Sequence, residues 1–185
     1  MDPQAEIDQH LQAPADLASA PAPQVDPQAE IDQHLQAPQA PSVLDALQVL
    51  VARKYAVLLA YAAFGDQLRC VERDGLAKHF ANHFEEERSW LYALHRMIAA
   101  RGGVAYPAGV TVPQVPLLAP RPAVEALAAM EGELLELWAD ACVALEGDPS
   151  IGDGEKSALR AQLQEGARVD LAHAEDMRRY LGVGA

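Results

Sequence analysis

Residues 76–103 read LAKHFANHFEEERSWLYALHRMIAARGG. Phe80, Phe84, Leu91, Leu94 and Ile98 return at spacings of three, four and seven residues. That period puts them on one face of a helix. The stretch ends in Arg101-Gly102-Gly103, a basic residue and glycines where a helix C-terminus wants them. One residue is out of character. Glu87 lies within the apolar stripe, seven after Phe80 and four before Leu91.

Working outward, residues 42–106 contain no proline. They read as two long helices, the first over about Ser42–Glu72 and the second over about Leu76–Ala100, with Asp74-Gly75 as the break. Gly103–Pro122 is rich in Pro, Gly and Val and has no helical period. A third helix spans about Ala123–Leu145 and stops at Gly147-Asp148-Pro149. A fourth runs from near Asp153 to Leu181, capped by Gly182. The predicted fold is all-α, a four-helix bundle with one long crossover. Because the crossover joins the second and third helices, those two run parallel.

The other helices repeat the anomaly of Glu87. Lys54 falls in the stripe of Leu47, Leu50, Val51, Leu58 and Tyr61. Glu131 falls in that of Leu127, Leu134, Trp138 and Leu145. Asp170 falls in that of Leu159, Leu163, Met177 and Leu181, with His173 one turn on. Buried charges are costly unless paired or bound to a metal. Four of them, each near mid-helix, imply a shared polar centre, to which the Tyr61 hydroxyl would also bond.

The segment from Phe80 to Trp90, followed by Gly102-Gly103, is similar to the second helix of the ferritin-like superfamily, in its bacterioferritin and Dps-like branch. There an ExxH pair precedes a Gly-Gly helix end. Asp170-Leu-Ala-His173 is similar to the fourth-helix ExxH. Lys54 and Tyr61 stand at the spacing of the first-helix Glu and Tyr, and Glu131 at the place of the third-helix Glu. The resemblance covers roughly residues 43–182 and implies a ferritin-like bundle that binds two irons through four Glu and two His.

The chain departs from that pattern. Lys54 stands for the first Glu, Trp90 for the second-helix His, and Asp170 for the fourth-helix Glu. The di-iron centre is therefore degenerate, and ferroxidase activity is not expected. Two readings follow for the cofactor. In the preferred one no metal binds, because an ammonium beside Glu87 repels a nearby cation. In the other, one Fe, Mn or Zn per chain is held by Glu87, Glu131, Asp170 and His173, a donor set suited to those ions. Trp90 would fill the volume left by the lost His and metal. Lys54 and Tyr61 would complete the shell.

The formal charge is -13 and the pI about 4.7, which excludes docking on nucleic acid or anionic membranes through a basic field. No apolar run reaches the roughly 20 residues a membrane helix needs. No secretory signal is visible, so a cytoplasmic protein is expected. The expected domain division is a tail over 1–42 and the bundle over 43–185. The tail holds seven of the 13 prolines, seven acidic residues and no Lys or Arg. Its sequence DPQAEIDQHLQAP occurs identically at Asp2–Pro14 and Asp26–Pro38. With one Ile and one Leu per copy it cannot fold alone and is expected to be disordered. Ile7, Leu11, Ile31 and Leu35 would dock in a partner's groove, two copies adding avidity. Read this way, the chain is an oligomeric scaffold or cargo protein tethered to a shell, a scaffold or another enzyme, and a shell would place it inside a protein compartment. The alternatives are an iron-handling protein or an oxidoreductase with a single metal site. His79, His83 and His95 read mostly as surface residues, with a place behind the centre as the alternative for His83, four before Glu87; Glu85 and Glu86 read as solvated, and Cys70 and Cys142 as small buried residues.

Overall fold

The computed structural model describes residues 41–115 and 119–182. The tail and its duplicated motif lie outside the described residues. Four helices make up the fold: α1 (Val43–Arg69), α2 (Asp74–Ala99), α3 (Pro120–Gly147) and α4 (Asp153–Tyr180). Among the described residues there is no strand, and no helix is long and apolar enough to cross a membrane. Helices α1 and α2 pack as one hairpin, α3 and α4 as another, and α1 lies against α3.

The ends of the helices follow from local chemistry. Ser42 caps α1: its Oγ accepts from the Asp45 N–H at 3.2 Å, and the Asp45 carboxylate accepts from the Ser42 N–H at 3.2 Å. Helix α1 ends at Arg69, three residues before the expected Glu72, and the turn is not made at Asp74-Gly75. Glu72 turns left-handed, with φ 58°, and the Arg73 N–H donates to the Leu68 carbonyl at 3.0 Å. The chain reverses on a residue with a side chain, and Gly75 falls inside α2. At the far end of α2 the glycines do the capping. Gly102 has φ 73°, and the Gly103 N–H donates to the Ile98 carbonyl at 3.1 Å. Helix α3 starts three residues earlier than expected because Pro120 sits at its first position, where the missing N–H costs nothing.

The first part of the crossover is held to α1 by the amide of Gln48. Gln48 Nε2 donates to the Val104 carbonyl at 2.6 Å, and Gln48 Oε1 accepts from the Tyr106 N–H at 3.4 Å. Val110, Val112 and Val115 pack against the core from the same strip. The core itself is built from the predicted stripes, including Leu47, Leu50, Leu94, Leu127, Leu134 and Leu163. On α2 the buried face runs through His83, and Phe84 is only half-buried. Cys70 is exposed and Cys142 half-buried, so the expectation of two buried thiols is corrected.

Candidate functional site

The polar residues of all four helices meet at mid-bundle. Lys54, Glu87, Glu131 and Asp170 are each wholly buried and His173 nearly so. Lys54 Nζ lies 2.5 Å from Glu87 Oε2 and 2.5 Å from Asp170 Oδ1. Tyr61 donates its hydroxyl to Glu131 Oε1 at 2.7 Å. The indole N–H of Trp138 donates to Asp170 Oδ2 at 2.5 Å. His173 Nδ1 stands 3.1 Å from Glu87 Oε1 and 3.5 Å from Glu131 Oε1, and its Nε2 is 2.7 Å from Glu86 Oε2.

These contacts dictate the charge state. Burial alone would lower the Lys54 pKa, but Glu87, Asp170 and Glu131 outweigh it and the ammonium is held above its ordinary value. Burial would raise that of Glu87, but Lys54 and the His173 bond take it down to about 2. His173 would lose its proton through burial; the bonds to Glu131 and Glu87 instead hold it up at about 10. Burial pushes Glu131 up, reinforced by Glu87, and pushes Asp170 up to about 7 against the pull of Lys54. Only one of these two has room for a proton. Both Asp170 oxygens already face donors, whereas Glu131 Oε2 is buried with no partner. A proton on Glu131 leaves two cations, Lys54 and His173, against two anions, Glu87 and Asp170. The buried cluster is then neutral, the condition under which a low-dielectric interior tolerates it.

The donor set can be tested against metal binding on this geometry. Glu87, Glu131, Asp170 and His173 offer ligand atoms that all lie within 4.8 Å of one another. Five of their six carboxylate oxygens, however, already face a protein donor, the exception being Glu131 Oε2. An ammonium stands between two of the carboxylates. The residues as they stand do not fit a two-metal centre. A single ion would have to displace Lys54 and the protons of His173 and Glu131.

Two expectations shift in detail. Trp90 is half-buried and stands edge-on to Trp138, 6.0 Å between ring centroids. The indole that enters the centre is that of Trp138, read from the sequence only as part of a stripe. It fits because Gly166 faces it: a Cβ on Gly166 would come within 2.4 Å of the ring. His83 and Glu86 also belong to the surroundings. His83 is buried, stacked on Tyr61 at 5.4 Å and edge-on to His173 at 4.1 Å. The i, i+4 spacing His83–Glu87 and the i, i+3 spacing Phe80–His83 were the available signal.

No protein-family profile matches the chain, and no curated protein matches it in sequence. Solved structures do match in fold. A Bacillus anthracis protein described as ferritin-like and diiron-carboxylate aligns at TM-score 0.63 and 16% identity, over 75% of this chain and 94% of that one. A Dps mutant from Listeria innocua aligns at TM-score 0.67 and 12% identity, over 79% of this chain and 97% of that one. The chain has the ferritin-like fold.

Proposed function

We propose that this ferritin-like chain keeps the bundle and has given up the two-metal centre for an ammonium-centred ion-pair network, so that it does not oxidise iron at mid-bundle. Its work would then lie in assembly: an oligomeric scaffold or cargo protein, tethered through Ile7, Leu11, Ile31 and Leu35 of the duplicated N-terminal motif to a shell or scaffold partner. One observation supports the first half above all others. Lys54 sits 2.5 Å from each of two carboxylates that a metal would need. The identical repeat supports the second half. Exposed apolar side chains on every helix, among them Val49, Tyr92, Val143 and Leu171, offer surface for self-association.

A second reading has its own support. The four-ligand cluster and the bare Glu131 Oε2 could take one Fe, Mn or Zn, which would make the protein iron-handling. Anaerobic Fe(II) loading followed by oxygen-uptake measurement separates the two. The scaffold reading expects iron retention to be the same in the native chain and in Glu131→Gln, with no oxygen uptake that depends on Glu131. One iron lost in Glu131→Gln would establish the single-metal reading, and two irons with oxidation would restore a ferroxidase. Deleting residues 1–42 tests the tether: co-purifying partners should vanish while the bundle stays folded, and unchanged partners would remove the tethering role.

A further inference from the structure

Apart from the buried centre, a second group of ligand atoms lies where α2 passes α4 near the bundle surface. His79 and His83 are one turn apart on α2, so both imidazoles project from one face. Asp176 comes from α4 to meet them. His79 Nε2 is 2.5 Å from Asp176 Oδ2, His83 Nε2 is 3.3 Å from the same oxygen, and the two Nε2 atoms are 3.1 Å apart.

We propose that His79, His83 and Asp176 form a mononuclear site for a divalent transition-metal cation of the Zn2+, Co2+ or Fe2+ class, with its remaining coordination positions open to solvent.

Three features carry this. The first is spacing. An ion bound at about 2.0–2.2 Å to nitrogen and oxygen donors sets those donors roughly 3 Å apart, and the triangle is already that size. The second is convergence. Two ring nitrogens and one carboxylate oxygen from two helices come together, each within 3.3 Å of the other two. The third is rigidity and access together. His83 is packed against two rings, stacked on Tyr61 and edge-on to His173, whereas the side chains of His79 and Asp176 are 39% and 35% exposed. The ion can enter from water, and the ring that needs fixing is fixed. Two imidazoles and one carboxylate select borderline transition metals over Mg2+ and Ca2+, which prefer all-oxygen shells. The site shares no ligand with the buried centre, and the two meet only where His83 packs edge-on against His173.

The probe is Co2+, followed by its visible d–d absorption in a titration of the full chain, with Zn2+ competition and melting curves beside it. The native chain should take one Co2+ per chain, released by Zn2+. His79→Ala and Asp176→Asn should each weaken binding by at least about tenfold and abolish the metal-dependent rise in melting temperature. Both positions are part-exposed, and melting without metal checks that each variant folds. Two controls should bind as the native chain does: Glu131→Gln, which alters the buried centre, and His10→Gln/His34→Gln, which removes the tail imidazoles. Absence of binding by the native chain would overturn the proposal. So would binding that survives both His79→Ala and Asp176→Asn, or that is lost in either control.

Discussion

Lys54 brings its charge into the middle of the bundle because Glu87 and Asp170 are there to receive it, each at 2.5 Å. His173 is the second cation, and its protonation can be read from the pH dependence of stability. Its pKa is held at about 10 against an ordinary 6.5. A raised folded pKa contributes stability that is fully present below pH 6.5 and is lost as the pH rises towards 10. Urea midpoints of the native chain should fall across that window, and the fall should be shallower in His173→Gln; an unchanged slope would mean that His173 is neutral. His83 acts at the other limb. Burial, with His173 and His79 adding to it, lowers its pKa to about 4, so its contribution fades as the pH falls from 6.5 towards 4. Gly166 is a third single-residue device. Its missing Cβ lets Trp138 reach Asp170. Gly166→Ala should therefore cost about 1–3 kcal/mol by overpacking, although Ala is the better helix former. Urea unfolding measures this, and a stabilised variant would show that Trp138 moves aside freely. Which charged residues enter the core was legible in the sequence, because Lys54, Glu87, Glu131 and Asp170 interrupt apolar stripes. The role of Trp138 was not, since an indole N–H on an apolar face looks the same whether it faces a carboxylate or an aliphatic wall.

At the scale of elements, four helices and one long crossover were readable from helical period and proline placement, and each occurs. The errors lie at the ends. Helix α1 stops at Arg69 and the chain turns on Glu72 at φ 58°, a left-handed residue for which no glycine signals the turn. The nearby Gly75 has no such duty, as it lies in α2. Glu72→Gly should stabilise the protein by up to about 1 kcal/mol by relieving that conformation, a gain seen as a higher melting temperature. A loss would mean that the Glu72 side chain contributes more than its backbone costs. On α2 the stripe assigned to Phe84 belongs to His83, one position earlier. Phe84 is the more apolar of the two, so periodicity drew the face toward it. The 80, 83, 87, 91, 94, 98 series averages the same 3.6 residues per step as the series through Phe84, so period alone does not choose between the two.

At the scale of the whole molecule, the ferritin-like bundle frames a buried centre in which Lys54 lies against Glu87 and Asp170. The fold was written in the helices; the fate of the centre depended on whether Lys54 reaches inward or snorkels to water, which spacing alone does not decide. Inside, the ammonium serves as the counter-ion that joins α1 to α2 and α4. The most direct test is the stability of Lys54→Met in urea, set against the triple variant Lys54→Met/Glu87→Gln/Asp170→Asn. The single change strands two buried carboxylates and should cost about 3–5 kcal/mol. The triple change removes the charges together and should recover most of that loss. A single variant as stable as the native chain, or a triple no better than the single, would contradict a core held by Lys54.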